Sequence, residues 1–176
     1  MNHLYTRKVN EAIERTKLFL EEVVEKPDPV FSGFPPCPFA RKERINKGIM
    51  WCEYSFKLPD EKIVRAIYDF LENKEKNSLL VLDFRNRISY EELEKFATRF
   101  KPFVKEFGLS AIVFHPEHPF NIGGIKTRSS PYPMLNIGLD TDFNLGYYAL
   151  KETGYYSKWS LEELTKINRQ KEYRDV

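Results

Sequence analysis

Apolar residues recur at three- and four-residue spacings over Leu4 to Glu25, at Leu4, Val9, Ala12, Ile13, Leu18, Leu20 and Val23, with charges between them. The spacing predicts an amphipathic helix that stops before Pro27. Pro27 to Pro38 holds five prolines and a glycine, which remove amide donors and fix φ, so an ordered or extended loop is expected there. In "PFARKERINKG" a short helix is expected, with Pro38 in its first turn and Gly48 as its C-terminal stop.

The run "GIMWCEYSFKL" alternates. Ile49, Trp51, Glu53 and Ser55 fall on one face of a predicted strand and Met50, Cys52, Tyr54 and Phe56 on the other. From Pro59 to Lys74 a helical stripe of Ile63, Ala66, Ile67, Phe70 and Leu71 follows an N-terminal proline and acidic pair. "SYEE" has the form of a capping box, Ser89 with Glu92, and opens a helix to about Phe107, before Gly108. "SLLVLDF" and "SAIVFH" are apolar runs of buried-strand length. "PYPMLNIGL" adds a strand whose prolines favour an edge, and "SLEELTKINRQKEY" is expected to be a capped polar helix at the chain end.

Strands separated by helices call for crossover connections. The fold class expected is therefore α/β: a single compact domain over 1–176, with a central mixed sheet of about four strands and a βαβαβ core flanked by helices. Its parts are an N-terminal helix (1–25), a proline-rich loop and short helix (26–47), an α/β core (48–140) and a helical end (141–176).

Composition narrows the class without naming a chemistry. At 41% hydrophobic and 15% aromatic residues the chain is a folded globule, and a net charge of +2 gives no field that makes nucleic acid the default partner. The chain has 2 cysteines, Cys37 and Cys52, too few for the disulfide framework of a small secreted domain. No apolar leader and no bilayer-length apolar run is visible, so a cytoplasmic location and no membrane partner are expected.

Three segments are irregular and rich in reactive residue types: "FPPCPFARK", "FHPEHPFNIGG" and "KTRSSPYPM". Cys37 is a packing atom, a nucleophile or a metal ligand. If Pro38 opens a helix, the dipole and the basic run Arg41, Lys42 and Arg44 favour its thiolate. Cys52, inside a strand pattern, reads as structural. His115 ends an apolar run, at the strand mouth where open α/β sheets place ligands. With His118 it could form a histidine pair for a metal, although Pro116 and Pro119 forbid a helix between them. The glycine pair of "NIGGIKTR" lacks phosphate-loop spacing and reads as backbone freedom for a sharp turn or a flat ligand. Arg128, beside Ser129, Ser130 and the Pro-Tyr-Pro turn, is a candidate anion clamp. Phe31, Phe34, Phe39, Phe114 and Phe120 flank these loops. Such rings seal a core, and together with a Cys or His ligand and arginines they also meet the requirements of a haem.

In order, "FPPCPFAR", "FHPEHPFNIGG" and "RSSPYPML" resemble the signature of the YqcI/YcgG family and of shorter bacterial proteins with a CPFA, FHP, RSPYP series. The resemblance covers roughly Phe34 to Leu135, and the chain is shorter than typical family members. It implies a haem b site and an oxygenase that oxidises nitrogen in a small amino-acid-like or guanidino substrate, with an electron donor as partner. The motif positions are Cys37 and Pro38, His115 and Pro116, and Arg128, Ser130 and Pro131. Phe39, Arg41, Phe120 and Tyr132 would complete the cofactor environment. Cys37 as axial ligand with His115 on the opposite face, and the reverse, both stay open. So do a Cys37 nucleophile with His115 as base and a small anionic substrate, and a non-enzymatic haem-binding module.

Overall fold

The computed structural model describes residues 3–56 and 61–165. Pro59 and Asp60, from the expected proline and acidic pair, and most of the C-terminal helical expectation lie outside the described residues. The first part of that last helix is visible: residues 161–165 are helical, and Ser160 caps them, its hydroxyl accepting from Glu163 N at 3.2 Å.

The opening amphipathic pattern forms α1 (His3–Phe19), which runs on as a π-helical turn, Leu20–Val24. The Glu25 amide closes the wider turn by donating to the Leu20 carbonyl at 2.8 Å. The wider turn keeps Phe19, Leu20 and Val24 together on the buried face, whereas Leu4 and Leu18, earlier in α1, are exposed. The six residues of α2 (Ala40–Ile45) follow the proline-rich loop. The left-handed turn after α2 falls on Lys47, with φ of 57°, and the Gly48 amide closes onto the Glu43 carbonyl at 2.8 Å.

The strands β1 (Ile49–Glu53), β2 (Ser78–Leu82), β3 (Leu109–Phe114) and β4 (Met134–Leu139) form one mixed sheet in the order β1-β2-β4-β3. β1 and β2 are parallel, joined across α3 (Glu61–Glu72). β2 continues through α4 (Tyr90–Lys105) to β3, leaving a gap that β4 fills antiparallel to both neighbours. The domain is α/β, as its pattern predicts. The edge position expected for β4 is not found, because Pro131 and Pro133 precede its first paired residue. Pro133 contributes a carbonyl, accepting from Asp83 N at 3.0 Å, so no ladder bond needs its missing N–H.

Alternation sorts the strands between two layers. Met50, Cys52, Leu79, Val81, Ala111, Val113, Leu135 and Ile137 pack with α3 and α4 on one face. Ile49, Trp51, Leu80, Leu82, Phe114 and Met134 meet α1 and the π turn on the other. A third cluster gathers Phe31, Phe34, Phe120, Ile122, Tyr155 and Trp159 beside the sheet. α5 (Asp140–Lys151) follows β4 directly.

At the head of α4 the capping box forms: the Ser89 hydroxyl accepts from Glu92 N at 3.3 Å and Ser89 N donates to the Glu92 carboxylate at 2.9 Å. Ser89→Ala removes the hydroxyl acceptor and is expected to lower stability by about 1 kcal/mol, read as a lower urea midpoint at unchanged slope. An unchanged midpoint would show that the cap contributes nothing.

Candidate functional site

The carboxyl ends of β1, β2 and β3 and the start of β4 lie at one end of the sheet, and the irregular segments collect around it. The proline-rich loop is ordered from within. Asp28 accepts from Val30 N at 2.8 Å to cap the 3-10 turn Pro29–Phe31, and its own amide donates to the Phe34 carbonyl at 3.0 Å. Cys37 N donates to Val24 O at 3.0 Å, which ties the loop to the π turn. Tyr155 donates its hydroxyl to Pro36 O at 2.5 Å.

The helix-start expectation for Cys37 is not met. α2 begins at Ala40 with Phe39 at its cap, so Pro38 is not its first residue. The backbone amides of Phe39 and Ala40 nevertheless favour the thiolate, the Ala40 amide while donating to the Cys37 carbonyl at 3.2 Å. Burial still pushes the thiol up, and the Glu25 and Glu43 carboxylates add to the rise against the pull of the amides. The basic run does not help the thiolate. Arg41 and Lys42 are exposed, and Arg44 is spent on carboxylates, with a two-pronged contact to Glu25 at 2.8 and 2.9 Å and a third to Glu21 at 2.6 Å.

His115 is 3% exposed and has both ring nitrogens engaged. Nδ1 accepts from Glu117 N at 3.1 Å, which leaves the proton on Nε2, donated to Ile88 O at 3.0 Å. Its amide donates to Arg128 O at 3.1 Å. The ring joins the segment before α4, the turn after β3 and the strand end. It shares parity with Ala111 and Val113 and stacks near Tyr90, with centroids 6.0 Å apart, so it belongs to the α3–α4 side of the sheet. Cys37 packs on the α1 side. The two side chains are in different layers, and neither a Cys-His couple nor a haem clasped between them fits this arrangement.

His118 is also buried, its Nδ1 accepting from Phe120 N at 3.0 Å while Nε2 has no partner. Burial first, then the Arg128 and His115 charges, pull it down to about 4, so it is neutral at physiological pH. Among the described residues no group of three or more His, Cys, Asp or Glu is placed to hold a metal ion. The glycine pair makes the sharp turn: Gly123 and Gly124 have φ of 54° and 89° between bridged Ile122 and Ile125. The close approach is to a side chain of the same molecule, since a Cβ on Gly123 would come within 2.8 Å of Val30.

Arg128 lies over the Phe120 ring at 4.2 Å. Ser129 and Ser130 spend their hydroxyls on Pro116 O at 2.6 Å and Tyr132 O at 2.5 Å, fixing the turn rather than facing a ligand. Tyr132 is bonded to the Arg15 side chain and packs in the α1 layer with Cys37. Phe39 is 44% exposed, its ring against Gly146.

The residues that sequence reasoning missed are Tyr155, Tyr156 and Trp159. They form a ring cluster with centroids 4.8 to 5.7 Å apart, joined to the first segment through Phe31 and Phe34. Burial pushes both tyrosines up, Tyr156 to about 12, and their tyrosine neighbours and Cys37 add to the rise. The buried Trp159 indole N–H has no acceptor. The only hint in the sequence is the density of rings in "GYYSKW", in a stretch whose charges predict a solvated helix.

For a haem, His115 fails as a ligand because neither ring nitrogen has a lone pair to give. Cys37 fits by donor chemistry: a thiol in a proline-stiffened loop that Tyr155 grips through Pro36 O, with that tyrosine packed on Trp159, whose buried N–H lacks an acceptor. The chain matches no family model, no curated protein and no solved structure.

Proposed function

We propose that the chain is a haem-thiolate protein with Cys37 as the axial ligand, acting as an oxygenase on the nitrogen of a small amino-acid-like or guanidino substrate, with an external electron donor. The observation that carries this reading is the setting of Cys37 in a proline-stiffened loop that is tied to the π turn by the Cys37 amide at 3.0 Å and to the aromatic cluster by the Tyr155 hydroxyl on Pro36 O. A nucleophile working in free solution needs a depressed pKa. The raised thiol pKa therefore counts against the nucleophile alternative. It leaves the ligand reading intact, because a bound metal ion itself displaces the proton of a coordinating thiol. The resemblance of the three segments to YqcI/YcgG proteins points the same way.

Phe34, Tyr155, Tyr156 and Trp159 supply an aromatic surround, and the Trp159 N–H and the exposed Arg41 are donors for propionates. A thiolate-ligated haem supplies oxygen activation, its electron donation favouring O–O cleavage. His115 and Ser130 hold the loops in place. Neither the cavity between α4 and β3 nor the one beside α1 touches Cys37.

Titration of the full chain with hemin tests the reading. Stoichiometric binding with a Soret band that shifts under carbon monoxide after reduction is expected. In a Trp51→Phe variant the remaining tryptophan, Trp159, loses its fluorescence as haem binds. A chain that stays colourless after reconstitution overturns the proposal.

A further inference from the structure

We propose that β3 is the seam of a symmetric dimer, in which two copies of the chain join their sheets edge to edge. β3 is an outer strand of the sheet, "LSAIVF", with no charge, no proline and no bulge, the features by which natural edges discourage pairing. Its outward hydrogen-bonding groups are fixed by the ladder to β4. Asp140 N donates to Gly108 O at 2.9 Å across the register that pairs Ser110 with Gly138, Ile112 with Asn136 and Phe114 with Met134. Even-numbered residues therefore face β4, and Leu109, Ala111 and Val113 turn N–H and C=O outward. The next odd residue, His115, donates its amide on that outer side, to Arg128 O. Among the described residues no strand covers the edge from Leu109 to Val113.

Outward groups on three alternate residues define one symmetric antiparallel register, centred on Ala111. Ala111 then pairs with Ala111 of the second copy, and Leu109 with Val113, each pair exchanging both hydrogen bonds. The charges at the two ends of the edge agree with this register. A groove of about 150 Å³ between α4 and β3 includes Glu94 and Arg128 toward the C-terminal end of the strand, Lys105 and Asp140 toward its N-terminal end, and Lys101 between them. The two-fold axis brings opposite ends together. Glu94 of one copy then meets Lys105 of the other, and Arg128 meets Asp140. A parallel pairing would set like charges against each other. The seam owes nothing to haem and stands or falls separately from the oxygenase reading.

Sedimentation of the full chain across a micromolar concentration series reads the result directly. The wild type is expected to be dimeric at high micromolar concentration. Ala111→Pro removes an outward amide that the monomer's own ladder does not use, and is expected to be monomeric with unchanged far-ultraviolet circular dichroism. Should that variant misfold, a charge exchange decides. Glu94→Lys weakens dimerisation by about tenfold or more, and adding Lys105→Glu restores it. A monomeric wild type, a folded Ala111→Pro protein that dimerises normally, or a double variant no tighter than Glu94→Lys overturns the seam.

Discussion

Phe96→Ala is expected to lower the stability of the protein by about 3–5 kcal/mol, the range for emptying a buried aromatic site. Phe96 is 0% exposed on the inner face of α4. Its ring stands 5.4 Å from those of Phe56 and Phe100 and 6.0 Å from that of Tyr54, so it links a helix to the chain just beyond β1. Those neighbours lie in a layer closed by α3 and cannot collapse into the space, which places the cost toward the upper end. Urea unfolding followed by circular dichroism measures it, with Leu145→Ala, at 68% exposure, as the control expected within about 0.5 kcal/mol of wild type. A loss below about 1.5 kcal/mol for Phe96→Ala would mean that this ring cluster is not the centre of the core.

Cys37→Ala is expected to reduce haem affinity by more than the roughly 10- to 100-fold typical of losing an outer partner of a metal ligand, and to abolish the thiolate-type shift with carbon monoxide. His115→Gln should leave that spectrum where it is. It will still weaken the fold, since Ile88 O and Glu117 N lose partners whose burial costs about 1–3 kcal/mol each when unsatisfied. Difference spectra of the reduced variants against wild type, with urea midpoints alongside, separate the two residues. The ligand assignment is reversed if His115→Gln moves the band and Cys37→Ala does not.

What could be read from the letters was local. The alternation from Ile49 to Phe56 assigned each side chain to the layer where it packs, and the Ser89–Glu92 cap is written in four consecutive residues. The apolar run at Leu79–Leu82 is buried on both faces of the sheet, whereas in the outer strand β3 burial alternates, Leu109, Ala111 and Val113 being buried and Ser110, Ile112 and Phe114 only partly so. The place of β4 was not legible, since the proline rule concerns amides within a ladder and Pro131 and Pro133 stand before it. The state of Cys37 was also hidden. Nearby arginines suggest an electropositive site, but folding hands Arg44 to Glu21 and Glu25 and leaves the sulfur among carboxylates. His115 ends its strand as the apolar run predicts, yet which face it shares depends on the strand's pleat, and only the pairing with β4 reveals that Cys37 is on the other side.

The π turn at Leu20–Val24 has a consequence for how the chain tolerates insertion and deletion. A π turn holds one residue more than the regular helix would need, so Leu20–Val24 is where α1 has a residue to spare. Removing one residue there lets the helix close into ordinary geometry without shortening any other element. With the spare residue gone, the residues beyond it keep their facing, so the Val24 carbonyl stays on the Cys37 amide and Glu25 stays on Arg44. The same deletion earlier in α1 has no such slack and turns everything beyond it by roughly 100°, which would cost the sulfur loop its tether while the sheet kept its own.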